Sequence, residues 1–236
     1  MERLEKLIAE SRNVVFFGGA GVSTESGIPD FRSVDGLYRQ KFKYPPEIML
    51  SHDFFMTHTS EFFDFYRAKM LCLSARPNAA HLTLARWEKM GLVKAVITQN
   101  IDGLHQMAGS QNVLELHGSV HRNRCLQCGK SYDAEWMLKS RGVPQCSCGG
   151  VIKPDVVLYG ESLNNGTLTA SVKAISEADI LIIAGTSLAV YPAAGLIDAY
   201  HGDQLIVINR SPTPADHRAN LLIQGSIGEI LEALHV

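Results

Sequence analysis

No stretch of this 236-residue chain approaches the length of a membrane span: its longest apolar runs, such as Ile180 to Ala184, fall far short of the roughly 20 residues such a helix needs. Charge of one sign is also lacking. Lys and Arg total 22 against 24 Asp and Glu, a formal net charge of -2, which leaves no field for gripping a polyanion. Neither nucleic acid nor a membrane is therefore an expected partner. The first residues, Met1 to Glu5, have no secretory h-region, so cytoplasm is the expected compartment. Internal repeats and low-complexity tracts are missing as well. With 46% hydrophobic and 19% charged residues, the chain reads as globular, with one sizeable core and a smaller lobe. Its oligomeric state is not written in these residues; a monomer is the expectation. Cysteine is scarce, five in all, and four of the five lie between positions 125 and 148, a pattern that suits a metal site better than a disulfide framework.

What is present is an alternation of short apolar runs with helical patterns, the signature of a parallel sheet covered by helices. Strands are expected at Val14 to Phe17, Ala95 to Thr98, Val113 to Leu116, Val156 to Leu158, Ile180 to Ala184 and Leu205 to Ile208. Their continuous hydrophobicity implies burial on both faces. The 3.6-residue period predicts helices through Leu4, Leu7 and Ile8, through Ala80, Leu84 and Trp87 behind an Asn78 cap with Gly91 as terminator, through Leu168, Val172 and Ile175, and through Ile227, Ile230, Leu231 and Leu234. The fold class is α/β, a doubly wound parallel sheet built from residues 1–32, 77–118 and 154–236. Two insertions interrupt it. Residues 33–76 read as a long loop followed by a helical segment carrying Phe62, Phe65, Tyr66 and Met70. Residues 119–153 have few aliphatic side chains and need another source of cohesion.

That source is written in the cysteines. Cys125-x-x-Cys128 and, after seventeen residues, Cys146-x-Cys148 form two knuckles that can each present two thiolates to one tetrahedral ion. An all-sulfur set of four suits structural Zn2+ and leaves no open coordination position. Cys72 stands apart and reads as packing.

The strand at Val14 to Phe17 runs into Gly18-Gly19-Ala20-Gly21-Val22-Ser23-Thr24, where backbone N–H groups and a following helix N-terminus would receive a pyrophosphate. The turn lacks the third glycine of the dinucleotide fingerprint and has no Walker-type lysine. No acidic residue ends a second strand about 20 residues on, so an ordinary hydride-transferring dehydrogenase is disfavoured. Beyond the turn come Ile28-Pro29-Asp30-Phe31-Arg32, then Thr98-Gln99-Asn100-Ile101-Asp102 and His117-Gly118 at the ends of two expected strands.

These motifs, with the four-cysteine module, Gly160-Glu161, Gly185-Thr186-Ser187 and Ile208-Asn209 in that order, make the chain resemble a sirtuin of the bacterial type, an NAD-dependent protein-lysine deacylase. The resemblance covers almost the whole chain. It implies a Rossmann-type large domain, a small domain of zinc module plus helical insertion, and a cleft between them for NAD and an acyl-lysine peptide. By the same resemblance Gly19, Ala20, Gly21, Thr24, Phe31, Arg32, Gln99, Gly185, Thr186, Ser187, Asn209 and Ile227 match cofactor positions, and Ile101 and Asp102 the nicotinamide pocket. His117 matches the catalytic base, with Asn100 orienting a water or the ribose. The implied chemistry is loss of nicotinamide, capture of the sugar by the acyl-lysine oxygen, proton removal from a ribose hydroxyl by a histidine that titrates near neutrality, and departure of free lysine and O-acyl-ADP-ribose.

Val157, Leu158, Tyr159, Gly160 and Glu161 on one side, and Leu188 and Val190 on the other, match segments that clamp the peptide as an added strand, with Val157 accepting the acyl-lysine N–H. Tyr159 departs from the Phe found in many sirtuins, and its hydroxyl needs a partner. Sirtuins favouring acidic acyl groups resemble one another in a Tyr-x-x-Arg pair, at which this chain has Phe63 and Tyr66, so acetyl or other uncharged acyl groups are expected. The loop from Ser33 to Tyr44 is expected to order over NAD as a lid. Competing readings are a mono-ADP-ribosyltransferase or NAD glycohydrolase on the same fold, and a noncatalytic NAD- or zinc-binding module. The last has no need of Asn100, Asp102 and His117.

Overall fold

The computed structural model describes residues 1–33 and 36–236. In chain order its elements are α1 (Glu2–Glu10), β1 (Val14–Gly18), α2 (Pro46–Met49), α3 (His52–Thr57), α4 (Thr59–Lys69), α5 (Ala79–Lys89), β2 (Val93–Thr98), α6 (Leu104–Ala108), β3 (Val113–Glu115), β4 (Gly118–Cys125), β5 (Ser131–Tyr132), α7 (Ala134–Lys139), β6 (Ile152–Val156), α8 (Asn165–Ser176), β7 (Ile180–Ala184), β8 (Gln204–Asn209), β9 (Leu221–Gln224) and α9 (Ile227–Glu232). No helix among the described residues is long and apolar enough to cross a membrane.

The large sheet has six strands in the order β3-β2-β1-β7-β8-β9, all parallel. Strands β1 and β7 are buried along their whole length because both faces are covered, which is why they read as unbroken apolar runs. On one face Phe16, Ile182 and Ile206 pack against Leu4, Ile8, Leu84, Trp87, Ile227 and Leu231 of α1, α5 and α9. On the other, Phe17, Leu181 and Val207 pack against Ile175, Leu196 and Ile197. Helix α5 begins as expected, with Asn78 accepting from the Ala80 N–H and His81 closing a capping box. The strand order reverses between β1 and β7, the crevice where open sheets of this kind bind ligands.

A second sheet, β5-β4-β6, is antiparallel and holds the cysteine segment. The cohesion of this segment is not left to a metal alone. Val120, Met137, Ile152 and Val156 share one apolar core with Phe54, Phe55, Phe62, Phe63, Phe65 and Tyr66 of α3 and α4, so the two insertions form one body.

Two expectations are corrected. The run Val156 to Leu158 is not a strand of the large sheet: Val156 ends β6, and Val157 and Leu158 leave it as irregular chain. Their hydrophobicity has another cause, because Val156 and Leu158 are buried in the small-lobe core while Val157 packs on the core of the large sheet. The glycine-rich turn leads into two short 3-10 turns, Ala20–Val22 and Thr24–Ser26, rather than an α-helix. A helix macrodipole is therefore replaced there by the turns' own backbone N–H groups.

Candidate active site

A cleft of about 760 Å³ lies between the two bodies, walled by the carboxyl ends of β1, β2, β7 and β8 on one side and by α4 and the Val156 to Glu161 segment on the other. Two turns from opposite sides of the switch point close its base. The Gly21 N–H donates to the Gly185 carbonyl at 2.7 Å, and a Cβ on Gly21 would stand 2.8 Å from Gly185 Cα. Gly185 has φ +58, and a Cβ there would reach 2.5 Å from Val22 N. These glycines are needed because backbone presses on backbone.

At the end of β2 a polar cluster is tied together by hydrogen bonds. Ser23 Oγ donates to Asp102 Oδ2 at 2.7 Å and accepts from Asn100 Nδ2 at 3.0 Å, while Asp102 Oδ1 accepts the Leu104 N–H at 2.9 Å. His121 Nε2 lies 2.9 Å from the Asp102 carbonyl oxygen. Ser23 was visible in the motif but carried no expected role; its signal is a hydroxyl one turn beyond the glycines, and the structure makes it the joint between Asn100 and Asp102. Gln99 works in two directions, its side chain donating to Thr186 Oγ1 at 2.9 Å and its carbonyl lying 2.9 Å from His117 Nδ1.

That second contact fixes the histidine's tautomer. A carbonyl oxygen only accepts, so the proton sits on Nδ1 and Nε2 keeps its lone pair. Burial holds the His117 pKa below the usual imidazole value, against the opposing Gln99 hydrogen bond, so the ring is neutral at pH 7. The next layer is the Val157 N–H, which donates to the His117 carbonyl at 3.0 Å, while the Val157 carbonyl accepts no hydrogen bond among the described residues.

Val157 to Glu161 are held rigidly. Tyr159 donates its N–H to Leu50 at 3.0 Å and accepts from His52 at 2.9 Å. Glu161 accepts from the Leu158 N–H (2.9 Å), Lys153 Nζ (3.1 Å) and His52 Nδ1 (2.9 Å). Burial alone would raise the Glu161 pKa, but the Leu158 N–H, His52 and Lys153 outweigh it and hold the carboxyl below its usual range. The Tyr159 hydroxyl finds the Tyr38 hydroxyl at 2.7 Å. Tyr38 in turn packs edge-on against Phe31 at 5.6 Å, under the Arg32 guanidinium at 5.3 Å. Arg32 also reaches Ser187 Oγ at 3.3 Å. The expected lid is thus folded back on itself, with Leu37 and Tyr38 donating to the Asp30 and Phe31 carbonyls; its Val34 and Asp35 lie outside the described residues.

The structure brings the residues expected to serve catalysis, cofactor and substrate, from Gly19 to Ile227, into the lining of this one cleft, with a single exception among those described. Leu188 is buried in the core under the large sheet, its N–H on Thr186 Oγ1, while Val190 lines the cleft.

Outside the lining of the cleft, the Sγ atoms of Cys125, Cys128, Cys146 and Cys148 all lie within 4.8 Å of one another, with Cys125–Cys148 at 3.5 Å and Cys128–Cys146 at 3.6 Å. A tetrahedron with metal–sulfur bonds of about 2.3 Å has edges of about 3.8 Å, so the donor set fits one Zn2+; these separations are far too long for a disulfide. The Cys128 and Gln127 N–H groups point at Cys125 Sγ and favour its thiolate.

Residues 19–192 match the model of the Sir2 family. The chain is 60% identical over 238 residues to a protein of Clostridium acetobutylicum named NAD-dependent protein deacetylase, covering 99% of this chain and 97% of that protein. A protein of the same name from Sulfolobus acidocaldarius is 44% identical over 96% of this chain and 90% of its own length. Among solved structures, a Sir2 histidine-to-alanine variant with a deacetylated p53 peptide and 3′-O-acetyl ADP ribose superposes with TM-score 0.90 at 41% identity, covering 98% of this chain and 95% of that one. A complex of Sir2, p53 peptide and NAD+ does so with TM-score 0.86 at 41% identity and the same coverage.

Proposed function

This chain belongs to the Sir2 family, and on that premise we propose how its cleft carries out NAD-dependent deacetylation of protein lysines. The reaction consumes NAD and an acyl-lysine peptide and yields nicotinamide, O-acyl-ADP-ribose and free lysine. NAD supplies the acceptor sugar and the leaving nicotinamide. Ala20, Thr24, Arg32, Ser187 and Asn209 bind its phosphates and adenosine end, with Ile227 against the adenine. Asp102, fixed by Ser23 and the Leu104 N–H, orients the nicotinamide carboxamide. Asn100 orients a water or the ribose. His117 Nε2 takes the proton from a ribose hydroxyl.

The observation that carries this reading is the His117–Gln99 contact, which leaves a neutral imidazole with its acceptor nitrogen available beside the Val157 segment. The unengaged Val157 carbonyl supports its role as acceptor of the acyl-lysine N–H, with the peptide added as a strand between Val157 to Glu161 and Gly185 to Val190. Glu161 acts on the peptide indirectly, by holding that segment. The division into residues 1–32, 77–118 and 154–236 for NAD, and 33–76 with 119–153 for the small lobe, belongs to the same proposal. So do a monomeric state, a cytoplasmic location, no affinity for nucleic acid and a structural Zn2+ on the four cysteines.

The test is mass spectrometry of an acetyl-lysine peptide incubated with protein and NAD, with free nicotinamide measured alongside. The expected result is O-acetyl-ADP-ribose in step with free lysine, and nicotinamide release that depends strongly on peptide. Nicotinamide release at the same rate without peptide would replace this reading with a glycohydrolase.

A further inference from the structure

Lysine side chains are seldom taken out of water, yet on β6 the Lys153 side chain is only 16% exposed and its partner Glu161 only 21%. An ion pair so placed contributes little over a well-packed apolar pair of the same shape, so stability alone does not account for it. The ammonium has three N–H donors and meets three acceptors: the Val156 carbonyl at 3.0 Å, Glu161 Oε2 at 3.1 Å and the Pro154 carbonyl at 3.2 Å. Lys153 does not line the cleft, so any effect it has there passes through what it holds.

What it holds is the backbone on both sides of Val157. A trans peptide unit is planar, so its carbonyl and the N–H that follows point in opposite directions. The unit joining Val156 to Val157 is tied at both ends: its carbonyl accepts from Lys153 Nζ, and its N–H donates to the His117 carbonyl at 3.0 Å. In the next unit the Leu158 N–H donates to Glu161 Oε2 at 2.9 Å, the same oxygen that Lys153 holds. The opposite end of that unit is the unengaged Val157 carbonyl, so its direction is set by where Oε2 stands. His52 Nδ1 lies on the other carboxylate oxygen, Oε1, at 2.9 Å, which leaves Oε2 to Lys153 and the Leu158 N–H among the described residues.

We propose that Lys153 is a positioning residue for deacylation: through Glu161 Oε2 and the two peptide units around Val157, it aims the Val157 carbonyl at the N–H of the acyl-lysine. The inference rests on the deacylase reading above and adds a residue to its machinery. No bond of the reaction changes at Lys153; it fixes an acceptor in place before the substrate arrives.

The test measures, without NAD, the Kd of an acetyl-lysine peptide and of the same peptide with the side-chain Nε–H replaced by oxygen, an acetate ester with no proton to donate. The wild-type protein should bind the amide about fivefold more tightly, the gain typical of one hydrogen bond. Lys153→Met, which keeps the apolar stem and loses all three donors, should bring that ratio below about twofold, chiefly by weakening the amide. Lys153→Gln, which keeps one donor group, should fall between the two. The weaker acceptor strength of an ester carbonyl affects every variant alike and cancels in the comparison. A merely structural role would weaken both peptides equally and leave the ratio at its wild-type value, and that result overturns the inference. Parity of the two peptides in the wild type also overturns it, with no variant needed. Turnover of the acetyl-lysine peptide with NAD is measured in parallel: none at all would sink the deacylase reading, whereas turnover with a ratio that Lys153 variants do not move sinks only the role of Lys153.

Discussion

Replacing Gly118 by alanine tests the joint between catalysis and fold most severely. Gly118 follows His117, opens β4 and has φ +77, a conformation that costs an L-residue about 1–2 kcal/mol. The added Cβ would also overlap the Asp155 carbonyl oxygen and stand 3.0 Å from its carbon, and both atoms are backbone of the paired strand β6. Relief requires β6 to move away, at the expense of the Val157 N–H bond to the His117 carbonyl, about 0.5–1.5 kcal/mol more. With residual overlap the total comes to about 3 kcal/mol, and a domain of this size loses roughly 2–4 °C per kcal/mol, so melting should fall by roughly 6–12 °C. The control is Gly109→Ala. That glycine has φ +109 with nothing within 4 Å of an added Cβ, so it carries the conformational cost alone. Calorimetry of both variants separates the terms. A shift of Val157 against His117 approaching 1 Å should also lower kcat for Gly118→Ala by about 100-fold while Gly109→Ala stays active. Equal melting shifts, or full activity in Gly118→Ala, would refute the claim that β6 is pressed against this residue.

Other expectations follow from the same geometry. His117→Ala should lose about 100- to 10,000-fold in peptide-dependent turnover with NAD binding retained, checked by calorimetric titration beside kinetics. Acid should destabilise the protein early. Burial depresses the pKa of His81 to about 4 and of His105 to about 3, with the neighbouring His81 adding to the His105 shift. The unfolded chain therefore binds more protons below about pH 6.5, and stability falls with pH by up to about 1.4 kcal/mol per unit for each ring until the folded-state values are passed. Urea midpoints from pH 7.5 to 5 should show that slope, and His105→Leu should flatten it. Chelation should release one Zn2+ per chain and change the emission of Trp136, which lies 4.5 Å from Tyr132 in the cysteine segment, before that of the buried Trp87. Succinyl-lysine should be turned over at least about tenfold less efficiently than acetyl-lysine, because Arg67 is held away by Asp64 and Gly142.

Much of this architecture is readable in the order of residues, for a reason visible in β1, β7 and β8. Strands buried on both faces must be apolar throughout, so their limits are sharp. The Asn78 cap and the Gly91 stop are similarly local, decided by backbone hydrogen bonds within a few residues. Strands β4 and β9 escape such a reading. The first is a polar strand of Ser, His, Arg and Asn whose pairing is set by distant β6, and the second is a sheet edge with alternating partial burial. The site divides the same way. Residues that line the cleft and are proposed to touch a ligand stand in recognisable motifs, but Ser23 as a joint, Tyr38 as partner of Tyr159 and Leu188 as a core residue are consequences of packing across the chain. Aliphatic scarcity in residues 119–153 pointed to a metal, and the helical insertion's phenylalanines supply the rest of the cohesion.

Val156, Val157 and Leu158 take this further. Consecutive side chains of one extended segment are rooted in different bodies, the outer two in the small-lobe core and the middle one on the large sheet. A rotation of one lobe against the other would twist this short strap, because its neighbouring side chains cannot all follow one lobe. The strap is also the rail on which a peptide would be laid under the proposed function, so a change in the angle between the lobes would reach the peptide's edge through these three residues.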